Sequence, residues 1–371
     1  MTDSTSKTIA VDGRPYSDNK PYFGIVLYTN SILQELLKAG YKVTLLSNRP
    51  LNNIHSVIKQ CTVEVFGSEN NFNWELRDLP KHLRLNSYDI YFAGTNRGIP
   101  WGKIRGTKKV LGFLDAIPYK LPGLYIPRYK FHFVRHELLP QLISLFHADQ
   151  IITISQSSVD DIKRLFKRRN VIHLPLIVSH TQLKEKPKVK DQFVYIGGEN
   201  PRKRVDNLLK AFAEFVKDHP EYHLVLIGKG YEVYDELISS LNLQGNIYMP
   251  GYVSEEDKYR TIASSKALVY PSMYEGYGLE IAEGILADTA VVADPSGASR
   301  EVGGQAVIYI DATDSASIQK GMEQSLDSKV QTELRKQRAI QLKIIHDDSM
   351  KNVITSFFDK QVKIARSERE K

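Results

Sequence analysis

The residues of this chain best suited to chemistry are two carboxylates and a run of three cations. In "PSMYEGYGLEIAEGI", which begins at Pro271, Glu275 and Glu283 stand with seven residues between them. Two acids can act as general acid and base, accept hydrogen bonds from sugar hydroxyls, or lie on a solvated helix face. The surrounding pattern favours hydroxyls. The apolar "ALVY" reads as a strand ending near Tyr270, Gly276 and Gly278 mark a turn, and a helix starts around Leu279 to Ile281. A glycine turn running into a helix N-terminus at the carboxyl end of a parallel strand suits a phosphate. Carboxylates aimed at that phosphate would repel it, so they must point to neutral donors, and an ionised carboxylate accepts two O–H bonds. Glu280, three residues before Glu283, is placed to share its face.

A second anion site is written in "YIGGENPRKRVDNLLKAF". Gly197 and Gly198 end a strand, Pro201 suits a first helical turn, and Arg202, Lys203 and Arg204 cluster at the start of that helix. Cations there oppose the helix dipole. A bound phosphate would account for them, and three side chains reaching into solvent is the alternative. No metal pattern accompanies these residues. His132 and His136 are four apart, but they lie in an aromatic, basic segment without HExxH and read as core or surface histidines. Nor does any strand run into G-x-G-x-x-G with an acid about 20 residues on, which argues against a nicotinamide-binding dehydrogenase.

The elements that must position these residues alternate short apolar runs with amphipathic segments, the pattern of βα units and mostly parallel sheets. Strands are expected at "TIAVDG", "KVTLLSN", "CTVEVFG", "DIYFAG", "KVLGFLD" and "QIITIS", then at "QFVYIGG", "YHLVLIGKG", "NIYMPG", "ALVYPS" and "AVVADP". In "YTNSILQELLKAGY" the apolar positions Ile32, Leu33, Leu36 and Leu37 predict a helix, with Gly40 at its C-cap. The polar, Lys-rich "HTQLKEKPKVKD" has no apolar periodicity and reads as a linker. The chain thus divides into a first Rossmann-like domain over 1–182, a linker over 183–192 and a second domain over 193–350. A charged helix follows over 351–371, frayed or surface-bound and placed to cross back to the first domain.

A length of 371 residues fits two domains and a cleft between them. The single cysteine, Cys61, rules out an intrachain disulfide and reads as a buried thiol in a reducing compartment. The N-terminus lacks a signal-peptide pattern and no apolar run approaches about 18 residues, so a cytoplasmic protein is expected. Residues 1–180 carry 24 Lys and Arg against 14 Asp and Glu, and the rest carry 26 against 29, so the net +7 is the sum of +10 and −3. The basic first half, with "GKIRGTKK", "RYKFHFVRH" and "KRLFKRR", suits an anionic membrane surface or an acidic acceptor. No nucleic-acid-binding module accompanies the charge.

Taken together, "YIGGENPRKRVDNLLKAF", "GYVSEEDKYRTIASSKALVYPSMYEGYGLEIAEG" and "AVVADPSGASREVGGQAVIYID" resemble the nucleotide-binding domain of the retaining GT-B glycosyltransferases of family 4, with Glu275 and Glu283 at the ends of the E-x7-E motif. The opening "DGRPYSDNKPYFGIVLYTNSILQELLKAGYKVTLLS" and "RHELLPQLISLFHADQIITISQSSVDDIKRLF" resemble that family's first domain. The resemblance implies a GT-B fold, in which two Rossmann-like domains with parallel sheets face a cleft. It also implies a metal-independent, cofactor-free transfer of sugar from a GDP-, UDP- or dTDP-linked donor to a saccharide or lipid-linked acceptor. Glu275 would meet donor-sugar hydroxyls and Glu283 the ribose. Gly276, Tyr277, Gly278 and Leu279 would cradle the donor, Lys203 would hold its diphosphate, and the Gly24 amide would meet a donor phosphate.

The chain departs from the family in three places. Gly198 stands where an Arg is usual, leaving Arg202 or Arg204 to supply that charge. Leu114 stands where a His is usual, leaving Asp115 to orient the acceptor. Asp288 and Ala290 replace a usual Gly and Pro, a change expected to affect only a turn. A sugar-nucleotide-binding protein of the same fold without catalysis is the alternative that Leu114 raises.

Overall fold

The computed structural model describes residues 6–17, 23–52, 56–125, 133–174, 176–178, 183, 185–345 and 349–371. The chain forms two compact units, Met1–Ile177 with Asp348–Lys371, and Val178–Asp347. Of the stretch read as a linker, 180–182 and 184 lie outside the described residues, as do His132, Arg128 and Lys130 of the basic segment. Lys186 and Lys190 belong structurally to the second unit: Lys186 pairs with Asp288 at 2.9 Å and the Lys190 N–H bonds the Ser264 carbonyl at 2.8 Å.

The first unit is a seven-stranded parallel sheet in the order β3-β2-β1-β4-β5-β6-β7. Its strands are β1 (Thr8–Asp12), β2 (Lys42–Ser47), β3 (Thr62–Val65), β4 (Ile90–Ala93), β5 (Lys108–Gly112), β6 (Gln150–Thr153) and β7 (Val171–His173). The interior strands are near-continuous apolar runs because helices cover both faces; all four residues of β4 are buried. Helix α1 (Phe23–Lys38) buries Ile32, Leu33 and Leu36. It ends at Gly40, whose φ of 79° is the left-handed conformation that a C-terminal glycine supplies. Helix α2 (Leu139–His147) buries Ser144 and Leu145. Cys61 is half-buried rather than buried, and desolvation pushes its thiol up to about 11.

The second unit is a six-stranded parallel sheet in the order β10-β9-β8-β11-β12-β13. Its strands are β8 (Gln192–Ile196), β9 (His223–Ile227), β10 (Ile247–Gly251), β11 (Ala267–Tyr270), β12 (Ala290–Ala293) and β13 (Val307–Tyr309). The three-residue edge strands β7 and β13 were not foreseen as strands. Between the strands run α3 (Val205–Asp218), α4 (Glu255–Ala263) and α5 (Leu279–Leu286), with α6 (Ser328–Ile345) after β13. Read within its own unit, this order is the doubly wound 3-2-1-4-5-6 arrangement. Its strand order reverses between β8 and β11, and ligands bind outside the carboxyl ends of strands at such a point.

Asp288 does more than alter a turn. It adopts φ 53°, which explains why a glycine suits that position. Its carboxylate pairs with Arg338 of α6 at 2.9 Å, and the Arg338 side chain is almost wholly buried. The ion pairs to Arg338 and Lys186 outweigh partial burial and hold the Asp288 carboxyl below its usual range.

The terminal helix α7 (Ser349–Glu370) packs on the first unit, with Phe358 edge-on to Phe92 of β4 at 5.8 Å. Its charged end is anchored rather than frayed: Arg366 and Arg369 both reach buried Asp89, at 3.0 and 3.1 Å.

Candidate functional site

At the carboxyl ends of β8 and β11, the chain needs backbone room before it needs side chains. Gly228, just past β9, has φ 143°, and a Cβ there would lie 1.7 Å from the Gly197 carbonyl oxygen, so two backbones cross where no side chain fits. Tyr231 donates from its hydroxyl to the carbonyls of Gly197 and Ile227 and fixes that crossing. On its other side Gly197 leaves space for Lys203, whose Nζ would be 2.5 Å from a Cβ at that position.

The cations enter from a 3-10 turn, Pro201–Lys203, rather than from the first turn of an α-helix. Asn200 caps this turn by accepting from the Arg202 N–H at 3.0 Å, and Arg204 closes it at φ 49°, so α3 starts only at Val205. The three side chains then part. Arg202 is buried and donates from Nη1 to the Ser272 hydroxyl at 2.6 Å, to the Tyr274 carbonyl and to Glu275 Oε1. Lys203 reaches Glu280 Oε1 at 3.1 Å, with its Nζ 5.1 Å from the centre of the Tyr270 ring. Arg204 turns to Asp206 at 3.2 Å, outside the cluster. Carboxylates of the same unit therefore meet each of the three cations, which neither reach together into solvent nor converge on one point.

Glu275 sits in the loop after β11 with only 8% of its surface exposed. Its Oε1 also accepts from the hydroxyl of fully buried Tyr270 at 2.7 Å. Burial alone would raise its pKa, but Arg202 and Lys203 outweigh burial and hold the carboxyl below its usual range. The backbone is fixed as well: the Met273 N–H bonds the Arg202 carbonyl at 2.9 Å, and the Ala298 N–H bonds the Glu275 carbonyl at 2.9 Å. Gly278 follows with φ 90° and opens α5, whose first two amides, Leu279 and Glu280, have no acceptor inside the helix, while the Ile281 N–H already bonds the Gly278 carbonyl at 3.1 Å. Gly276 is buried, while Tyr277 and Leu279 are partly exposed at the same turn.

Glu283 is 5% exposed on α5 and bonded to Lys258 of α4 at 2.8 Å. Burial pushes its carboxyl up to about 7, with Lys258 opposing and Glu280 and Glu255 adding to the rise. Glu280 and Glu283 are thus neighbours on α5 that hold different lysines. Neither Lys258 nor Tyr270 stands out in the sequence as a site residue, Tyr270 marking only the end of a strand. The lysine lies in the quoted "GYVSEEDKYRTIASS", and only the fold sets α4 beside α5.

Three further expected residues lie elsewhere. Gly198 is exposed at the end of β8, beside the Lys229 carbonyl. In the first unit, Gly24 is exposed in the first turn of α1 rather than in a loop, and 18–22 before it lie outside the described residues. Asp115 follows β5 and accepts from the Ile117 N–H at 3.0 Å, while buried Leu114 donates its N–H to Asn96 Oδ1 at 2.6 Å. His136 is exposed, and among the described residues no cluster of His, Cys, Asp and Glu could hold a metal ion.

The family match spans this site. Residues 177–341, nearly all of the second unit, match the family model for glycosyl transferases group 1. The O-antigen chain mannosyltransferase B of Escherichia coli is 28% identical over 285 residues, covering 72% of this chain and 71% of that protein. Two solved structures share the architecture. Sucrose-phosphate synthase of Thermosynechococcus elongatus superposes with TM-score 0.74 at 16% identity, over 95% of this chain and 98% of that one. HepE of Anabaena, solved in complex with UDP-glucose, superposes with TM-score 0.70 at 15% identity, over 95% and 99%. The fold is GT-B.

The Glu283 carboxyl also makes stability depend on pH. Its folded pKa of about 7 lies above the ordinary 4.5, so its stabilising contribution is full below the lower value and lost as pH rises through the higher. In urea denaturation the wild type is expected to lose stability relative to Glu283→Gln across that window; parallel profiles would contradict the buried-carboxyl assignment.

Proposed function

We propose that this protein is a retaining glycosyltransferase of family 4. It moves a sugar from a nucleotide-sugar donor to a saccharide or lipid-linked saccharide acceptor in the synthesis of surface polysaccharide or glycoconjugate, without a metal. The observation that carries this reading is the Arg202, Lys203 and Glu275 cluster at the point where the strand order of the second sheet reverses, beside the open amides of α5. The group 1 match and the O-antigen mannosyltransferase relative support the activity and its setting, and make mannose the first sugar to try.

The chemistry follows from the charges. The diphosphate of the donor lies against the first turn of α5 and Lys203, a field fixed before the reaction that acts most strongly on the leaving diphosphate as the glycosidic bond breaks. Glu275, already ionised and held by Arg202 and Tyr270, accepts from donor-sugar hydroxyls. A carboxylate so firmly bonded and so weakly basic is a poor covalent nucleophile, which favours front-face transfer with the donor phosphate taking the acceptor proton. Glu283 accepts from the ribose with Lys258 holding its charge. Asp115 and the Gly24 amide are assigned to the acceptor and donor-phosphate contacts.

One observation favours a hydrolase instead: one carboxyl is held ionised and the other sits near 7, as in an acid and base pair. A panel of nucleotide sugars separates the readings. Transfer predicts nucleoside diphosphate release that depends on a saccharide acceptor, a product of unchanged anomeric configuration, and a loss of about 100-fold in turnover for Glu275→Gln with folding intact. Sugar release to water alone supports the hydrolase, and an undiminished Glu275→Gln rate removes the hydroxyl-binding role.

The first unit supports work at an anionic membrane surface. No described helix is long and apolar enough to cross a membrane. Helix α2 exposes Leu139 and Phe146, and exposed Trp101 lies edge-on to His147 at 5.7 Å. Lys103, Arg105, Arg135, Lys167 and Arg169 are exposed on the same unit. Such a combination binds anionic lipid by burial and charge together. Co-sedimentation with phosphatidylglycerol vesicles is expected to exceed that with neutral vesicles and to fall for Phe146→Ser; equal sedimentation with both lipids contradicts the surface.

A further inference from the structure

We infer that Glu280 is a built-in stand-in for the donor diphosphate: in the free protein it holds the ammonium of Lys203 that the phosphate would take, and so sets how tightly nucleoside diphosphate is kept. The inference rests on the diphosphate reading of Lys203 given above and assigns a role to a residue that reading leaves unused.

The geometry is specific. Glu280 lies in the first turn of α5, where an acidic side chain is favoured by the helix dipole and where an incoming anion would be favoured for the same reason. It bonds Lys203 at 3.1 Å, and both side chains are largely buried, 13% and 18% exposed, so solvent screens the pair weakly. The lysine has little freedom to leave. Its Nζ is confined between the face of Tyr270 and the backbone at Gly197, where even a methyl group would collide with it.

Charge counting makes the consequence plain. Arg202 faces Glu275, Lys203 faces Glu280, and Lys258 faces both Glu255 and Glu283. The site therefore presents a diphosphate with a near-neutral set of side chains and the dipole of one helix. When phosphate arrives, Lys203 passes from carboxylate to phosphate and Glu280 is left beside an anion. That repulsion weakens ground-state binding of donor and product alike. It also keeps small anions such as pyrophosphate from occupying the site between turnovers. Glu280 is a positioning residue: it acts through Lys203 and touches no reacting atom.

The test is calorimetric titration of the full-length protein with UDP, GDP and dTDP, and with inorganic pyrophosphate as a probe lacking the nucleoside. It compares wild type, Glu280→Gln, Glu280→Ala, Lys203→Ala and the Lys203→Ala, Glu280→Gln pair. Either Glu280 variant is expected to bind the preferred nucleoside diphosphate about tenfold more tightly, as removal of one nearby like charge in a weakly screened site should give. Pyrophosphate should gain similarly, and in turnover the product inhibition constant should fall with KM. In the Lys203→Ala background, where there is no ammonium to compete for, the gain should shrink to the part that direct repulsion between Glu280 and the phosphate supplies. A purely structural ion pair would change melting temperature without tightening binding. Unchanged or weaker binding in both Glu280 variants, with the wild type binding normally, overturns the inference and leaves the diphosphate reading intact. A wild type that binds none of the probes overturns that reading and this inference with it.

Discussion

The buried ion pair between Arg202 and Glu275 is the interaction on which the rest of the site depends. It ties the turn that follows β8 to the loop that follows β11, the two strands flanking the reversal of strand order. A carboxylate with 8% exposure is tolerable only with a counter-charge, since breaking such a pair leaves an uncompensated charge and costs about 3–5 kcal/mol. The guanidinium meets that need in several directions, binding Ser272 and the Tyr274 carbonyl as well as Glu275. Because Met273 also bonds back to the Arg202 carbonyl, the loop cannot shift without moving the turn. The start of α5 and the position of Lys203 follow from that joint constraint.

Backbone room is the second requirement, and four glycines supply it. The crossing of Gly197 and Gly228 brings the ends of β8 and β9 closer than any side chain permits. Gly297 does the same against the Glu275 backbone, where a Cβ would lie 2.2 Å from the carbonyl oxygen. Gly278 turns the chain into α5 through a left-handed conformation. With the backbone pressed together in this way, side chains and amide groups from three strand ends reach a common region.

Much of this was legible in the sequence because it depends on local chemistry. Apolar runs bounded by glycine and proline mark strands whatever the tertiary context, and eleven were placed within three residues at either end, "ALVYPS" and "QFVYIGG" among them. The start of α5 at Leu279 followed from the glycine turn. What the sequence concealed depends on partners far along the chain. Arg202, Lys203 and Arg204 are consecutive, and nothing local says that one is buried against Glu275, the next held by Glu280 and the third turned aside to Asp206. Lys258 meets Glu283 only because α4 packs beside α5, 25 residues earlier in the chain. Strands β7 and β13 are each three residues long, too short for a period-two pattern to stand out. Asp288 read as a turn substitution because its partner Arg338 lies 50 residues away.

The central claim is that the second unit holds a nucleoside diphosphate at the Arg202, Lys203 and Glu275 cluster. Thermal denaturation of the full-length protein with millimolar UDP, GDP or dTDP tests it most directly, because a ligand that binds only the folded state raises the melting temperature by mass action. The account predicts a clear rise with one of the three, which would also name the donor base. No rise with any of them would contradict it.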